Sequence, residues 1–533
     1  MLTAFLALFT AAQPPTVRTS KGVLTGVAAG SNVSIFYSIP YAKPPTDERR
    51  FQPPQEHEAW NGTLDVSALP KHFECPQTLL HSGLPIFKGS EEHCLTLNVF
   101  KPASAKPGDK LTVMVWIPGG AFIEGSLTGG GEYNGSHFAQ YGNVIVVAMQ
   151  YRLGSLGFLY SPEHASVPGN LGLMDQRLAL QWVQREIEAF GGDSSKVTLF
   201  GESAGGISIC AHITSFASKG LFRAAIMESP VCGSAAFFNR ADAADAISKD
   251  FIDHVGCGKA GGAKAILACL QALPVDKACA PLLFPSSARH AAPYTLPSLA
   301  PVIGWTPTLD GSPEGVERMP IDAIKAQQPP TVPLIIGTNQ DEASLFIPLL
   351  PVIIPGVHLP MHDDDLRKVV VHFFNESASD AILARYNHTR GIKAEEAITR
   401  DYFWTCAARR LVKAASAHTY AYTYYFDYPI KFVGDCHGCE LPFVWDWQSG
   451  PRGSFSPAQA ALSHDIVSYW LAFTKSGGDP NGPGAPPLHW PRFDAEPQQQ
   501  AVLELNATRR VLTGGFQTEL CEFWAPYQLG EAG

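Results

Sequence analysis

Residues 111–200 narrow the folding options more than any other stretch. "LTVMVWI" (111–117) and "VIVVAMQY" (144–151) are continuous apolar, β-branched runs with no polar face, so they read as strands covered on both sides. "MDQRLALQWVQREIEAF" (174–190) then carries apolar residues at helical spacing and stops at Gly191-Gly192, before the short strand candidate "KVTLF" (196–200). Strand, helix, strand with short turns implies parallel neighbours and right-handed crossovers. The expected class is α/β: a large, mostly parallel central sheet with helices on both faces.

From about residue 235 to 300 the chain becomes Ala-rich and helical, with "DAADAISKDFIDHVGC" as one amphipathic candidate. An insertion there would sit over the carboxyl edge of the sheet, where open α/β folds bind ligands, as a lid or pocket wall. "VPLIIGTNQ" (332–340) and "TYAYTYYFDY" (419–428) read as two further strands, each running into polar residues. No repeat or linker divides the chain, so residues 13–533 read as one domain.

The start, "MLTAFLALFTAAQPP", reads as a secretory signal over residues 1–12. Asn32, Asn61, Asn134, Asn375, Asn387 and Asn506 lie in N-x-[ST] sequons, where about 1.4 would arise by chance among twelve asparagines. Eleven cysteines suit the same oxidising compartment. A secreted, extracellular glycoprotein is expected. No later apolar run reaches the ~20 residues that span a bilayer, and "LGEAG" resembles neither a lipid-anchor tail nor a retention signal. A net charge of −10 disfavours nucleic acid as a partner. Cys436 and Cys439 bracket His437 but have no second pair at ligand spacing, so no metal is expected.

"KVTLFGESAGG" (196–206) places Ser203 between a strand and the apolar segment "AGGISICAHI", the strand–turn–helix setting of a nucleophile elbow. A serine hydroxyl needs a base, and imidazole is the natural one near neutral pH. Of 17 histidines, His437 in "GDCHGCELPFVW" is the candidate, being in a Gly-flanked turn just past a strand and late in the chain. The base needs an acid to hold its tautomer. Glu342 in "LIIGTNQDEASLF" ends an apolar run, and its neighbour Asp341 competes for the role. For the oxyanion, "VWIPGGAFIEGS" offers small residues at a strand end, and Gly120, Ala121 and Ala204 are the candidate backbone donors.

Together with "EEHCLTLNVF", "YRLGSLGFL", "GNLGLMDQRLALQWVQREIEAFGGD", "DEASLF" and "CEFWAPY", these motifs resemble the type-B carboxylesterase and lipase family, which also holds cholinesterases. The resemblance covers most of the chain. It implies an α/β-hydrolase fold with helical insertions over the active site, a Ser203–Glu342–His437 triad, an oxyanion hole of Gly120, Ala121 and Ala204, and no cofactor. It implies that Glu202 tunes the site electrostatically and that Ser229 supports it from behind. It also pairs Cys75 with Cys94, Cys257 with Cys269, and Cys406 with Cys521, with Cys436 a competitor for Cys406. The two short loops, about 19 and 12 residues, would each contribute about 3 kcal/mol in the loop-entropy model. Cys210 reads as a buried small residue, and Cys232, Cys279 and Cys439 receive no partner.

Two departures stand out. Pro118 occupies a position where relatives carry His or Tyr, which removes one backbone donor at the start of the oxyanion loop. The Cys75 to Cys94 loop holds Phe87 but no Trp to grip a quaternary ammonium, which argues against choline esters. The expected partner is a small-molecule or lipid ester. The main expectation is a carboxylesterase working through an acyl-enzyme, and the alternative is a triacylglycerol lipase. A non-catalytic adhesion protein on this fold is the distant third, disfavoured because nucleophile, acid and base are all present.

Overall fold

The computed structural model describes residues 13–30, 32–81, 84–233, 237–279, 304–430, 434–447, 455–494, 496 and 499–528. The expected signal, residues 1–12, lies outside them. Among the described residues the central sheet has eleven strands, labelled here in chain order: β1 Val27–Ala29, β2 Val33–Pro40, β3 Thr96–Pro102, β4 Leu111–Ile117, β5 Ile145–Met149, β6 Gly192–Glu202, β7 Ala224–Glu228, β8 Leu334–Asn339, β9 Ala421–Phe426, β10 Val502–Leu505 and β11 Arg510–Leu512. Their order across the sheet is β11-β10-β9-β8-β7-β6-β4-β5-β3-β2-β1. The block from β10 to β5 is parallel, and antiparallel strands close both sides.

The continuous apolar runs are explained by the two faces of this sheet. In β4, Val113, Val115 and Ile117 join one core, while Met114 and Trp116 join the other. In β5 the split is Ile145, Val147 and Met149 against Val146 and Ala148. A side-chain period of two, with both faces covered, leaves no place for a polar residue. Each such side chain contributes about 1.5–3 kcal/mol on burial, so a charge placed in either run would break the sheet's centre.

The helical segment beginning at Met174 belongs to α1, Leu171–Glu186, which runs into a 3-10 turn that Gly191 ends in the left-handed region at φ +96°. Asp175 of α1 lies fully buried and takes three hydrogen bonds from Arg152, from its backbone N, Nε and Nη2, at 3.0, 2.8 and 2.7 Å. This ties the loop after β5 to the helix. After β6 comes α2, Ala204–Ile213, buried at every residue. The Ala-rich insertion forms α3, Ala241–His254, and a second helix at Ala263–Gln271, while residues 280–303 are outside the described set. Later come α4, Cys406–Ser416, and α5, Pro457–Ser476. Among the described residues, no helix is long and apolar enough to cross a membrane.

Cys75–Cys94, Cys257–Cys269 and Cys406–Cys521 are paired as the resemblance implies. Two findings correct the sequence reading. Cys210 is bonded to Cys232 rather than being a lone buried residue, because α2 folds back along β7 and Cys232 follows that strand. Cys436 does not compete for Cys406, because it closes onto Cys439. Cys279 is the free thiol among the described residues, and burial pushes it up to about 11. Five sequon asparagines are exposed, Asn32, Asn61, Asn134, Asn375 and Asn387. The sixth, Asn506, is half-buried and donates to Glu504 Oε2 at 2.8 Å.

Candidate active site

Ser203 sits where β6 turns into α2, with φ +54° and ψ −121°, a conformation L-residues rarely adopt. It is held there at both peptide groups. Its N–H donates to Glu228 O at 2.9 Å, and its C=O accepts from Ile207 N at 2.9 Å. Two glycines make the turn feasible. A Cβ on Gly205 would lie 2.0 Å from Ile117 O, and one on Gly119 would lie 3.3 Å from the Ser203 Cβ and 2.8 Å from Glu202 Oε2. The end of β4 and the elbow are therefore in direct contact.

The loop after β4 turns sharply at Gly120, φ +108°, followed by Ala121 at +52° and Phe122 at +62°. Pro118 contributes its carbonyl, which accepts from Tyr151 Oη at 2.9 Å. Among the described residues, the N–H groups of Gly120, Ala121 and Ala204 donate to no protein acceptor. Ala204 is also the first residue of α2, so its N–H adds to the positive end of that helix. Three donors left open beside one hydroxyl suit an anion that forms only during reaction.

Glu342 follows β8 and is fully buried. Its Oε1 accepts from Ser229 Oγ at 2.6 Å and from Asn339 N at 2.8 Å, and its Oε2 meets His437 Nδ1 at 2.5 Å. Asp341 points elsewhere. It faces Asp435, whose carboxyl is pushed up to about 7 by burial first and then by the hydrogen bond it donates to Asp341. Geometry thus separates two neighbouring acids that the residue pattern alone leaves open and the family resemblance resolves toward Glu342.

The other ring nitrogen of His437 is open. Nε2 lies 3.1 Å from Glu202 Oε1, close enough for charges to interact but out of line for a hydrogen bond, so both atoms lack a hydrogen-bond partner. An imidazole clamped at Nδ1 and vacant at Nε2, beside the residue that precedes Ser203, is poised to take a proton. Burial alone would depress its pKa. The carboxylates of Glu202, then Glu342, then Glu440 outweigh that and raise it to about 9. That lies above the ordinary imidazole value of about 6.5.

Two acids were missed by the sequence reading. Glu228 ends β7 directly opposite Glu202 in the parallel register, and its Oε1 accepts from Trp470 Nε1 at 2.8 Å. Glu440, three residues after His437, accepts from Asn339 Nδ2. Burial raises Glu440 well above its ordinary value and Glu228 to about 8, so Glu228 largely holds its proton at neutral pH. Burial also raises Glu202 to about 7, against the opposing pull of His437. The signal existed in part: "GES" and "MES" end neighbouring apolar strands with an acid before a serine.

Residues 13–524 match the model of the carboxylesterase family. The chain is 32% identical to cocaine esterase of Oryctolagus cuniculus over 520 residues, covering 92% of this chain and 90% of that one. It is 33% identical to para-nitrobenzyl esterase of Bacillus subtilis (strain 168) over 503 residues, covering 92% and 95%. A solved PNB esterase structure superposes with a TM-score of 0.77 at 29% identity, covering 95% of this chain and 99% of that one.

Proposed function

The chain belongs to the carboxylesterase family and is a carboxylesterase, and from that premise we propose a secreted enzyme that cleaves carboxylic esters through a Ser203–His437–Glu342 triad and an acyl-enzyme. The observation that carries the triad is the His437 ring, bonded to a fully buried Glu342 at Nδ1 and open at Nε2.

In this mechanism Ser203 Oγ attacks the ester carbonyl while His437 Nε2 takes its proton. Glu342 fixes the tautomer and stabilises the imidazolium, and Ser229 and Asn339 hold Glu342 in place. The oxyanion falls among the N–H groups of Gly120, Ala121 and Ala204, which need no rearrangement to receive it. His437 then protonates the leaving alcohol, and water repeats the sequence to free the acid. Ser203 and these partners form one hydrolase domain from residue 13 onward. Secretion is supported by five exposed sequon asparagines and five disulfides among the described residues.

The test is hydrolysis of p-nitrophenyl esters from acetyl to palmitoyl, with Ser203→Ala as control. Serine-dependent turnover peaking at short acyl chains is the expected result, with residual rate only from the oxyanion donors and binding. A peak at long chains would establish a lipase instead. Ser203→Ala turnover within a few-fold of wild type would refute the triad.

A further inference from the structure

His437 stands outside regular structure, ten residues and more beyond the end of β9, so its aim depends on one short turn. That turn is Cys436-His437-Gly438-Cys439. Cys439 N donates to Cys436 O at 3.0 Å, and Gly438 takes φ +73°, the positive value the third residue of such a turn requires. The two flanking cysteines are joined, with Cα atoms 5.1 Å apart. The disulfide therefore closes a ring around the backbone of the general base itself.

The remaining restraints on the imidazole are few. One in-line hydrogen bond reaches Nδ1, and the rings of Phe346 and Trp404 pack at 5.4 and 5.5 Å from it. The turn is tied to the sheet through Asn339 Nδ2, which donates to Cys436 O at 2.8 Å. Asn339 sits on β8 just before the segment that carries Glu342, so acid and base share an anchor. The hydrogen bonds that Cys436 O accepts from Asn339 Nδ2 and Cys439 N hold the peptide before His437, but neither reaches the peptide between His437 and Gly438. The covalent closure between residues 436 and 439 restrains that one as well.

We propose that the Cys436–Cys439 disulfide is a positioning device for His437, holding the turn so that Nδ1 meets Glu342 and Nε2 stays open to take the Ser203 proton. This rests on the triad reading above. It also makes activity sensitive to reduction, because Cys436 is partly exposed while Cys75, Cys94, Cys210, Cys232, Cys406 and Cys521 are buried. A small dithiol reaches Cys436, and the equally part-exposed Cys269, ahead of the six buried sulfurs. Its thiolate attacks Cys436 Sγ, Cys439 leaves as a thiolate and takes up a proton, and the second thiol then displaces Cys436. Two electrons pass to the protein, and the reagent departs as its cyclic disulfide.

The experiment compares wild type, reduced wild type, Cys436→Ser/Cys439→Ser, Cys257→Ser/Cys269→Ser and Ser203→Ala. In the Cys436 and Cys439 double variant, kcat falls about tenfold or more, since a displacement near 1 Å costs up to about 10²-fold, while KM stays within about threefold. Labelling of Ser203 by a fluorophosphonate slows in proportion, and the thermal midpoint stays near wild type. Folded wild type treated with dithiol shows the same loss and recovers on reoxidation, which also serves should the variant fail to fold. The Cys257 and Cys269 variant behaves as wild type in both states. A kcat within about twofold of wild type, in the double variant or in wild type shown by thiol counting to be open at this pair, overturns the proposal. An inactive Ser203→Ala alongside fully active cysteine variants would sink this inference alone, whereas an active Ser203→Ala would sink the triad.

Discussion

Replacing Glu202 with glutamine removes a charge without removing volume, and its consequence can be worked from the site. The Glu202 carboxylate lies 3.1 Å from His437 Nε2, and it is the largest of the three charges that raise the imidazole to about 9. At an effective dielectric constant of about 20, two unit charges at this distance interact by roughly 5 kcal/mol, and about 1.4 kcal/mol corresponds to one pH unit. That exceeds the whole net elevation, because burial of the ring opposes it. Glu342 and its bond to Nδ1 persist in the variant, so only part of the elevation is lost, and the expected fall is about 1–2 pH units. The sign follows from the role: neutral imidazole is the active form, so activity is lost as pH falls through its pKa. Lowering that pKa moves the acid limb of kcat/KM to lower pH. The plateau also drops, by about tenfold, because the imidazolium of the transition state has lost a nearby anion. The assay is kcat/KM for p-nitrophenyl acetate from about pH 5 to about pH 10, read at a wavelength insensitive to p-nitrophenol ionisation, with Ser203→Ala as blank. Wild type should show a broad acid limb above neutrality, since Glu202 itself titrates near 7 and the two protons are coupled. A limb that stays in place or moves to higher pH in the variant would refute the electrostatic account.

Ser229→Ala deletes the 2.6 Å hydrogen bond to Glu342 Oε1 and leaves that oxygen with Asn339 N alone, so kcat should fall roughly tenfold with KM little changed. Steady-state kinetics on one short-chain ester would decide this, and an unchanged kcat would mean Asn339 suffices. Asp175→Ala strands the buried Arg152 guanidinium and should cost about 3–5 kcal/mol by urea unfolding, without altering the acid limb of the pH profile. A loss under about 1 kcal/mol would mean water reaches Arg152.

Much of the architecture was legible because burial on both faces imprints itself on single runs of sequence. The run 111–117 is β4, and the apolar stretches near 145, 334 and 421 are β5, β8 and β9, trimmed by one or two residues at their ends. The strand–turn–helix setting of Ser203 was legible too. What stayed hidden was pairing across long distances. Glu342 and His437 are 95 residues apart, and the residue pattern by itself left Glu342 and Asp341 open, so that only the family resemblance preferred Glu342. Cys210 meets Cys232 only because α2 returns along β7, which no local pattern records. The raised His437 has the same origin, since it depends on acids delivered by β6, by the segment after β8 and by its own turn.

The strand order has a consequence for how the enzyme is made. β7 ends at residue 228 and its neighbour β8 begins at 334, so about a hundred residues must emerge before the sheet can extend past β7. Ser203 and the oxyanion loop leave the ribosome early, whereas His437 appears only when more than four-fifths of the 533 residues have been synthesised. At ~5–20 residues per second, the proposed nucleophile and base are separated by roughly 10–50 s of translation. Under the proposed mechanism the growing chain carries, during that interval, a serine with nothing to activate it, so ester cleavage would arise only in a nearly finished polypeptide.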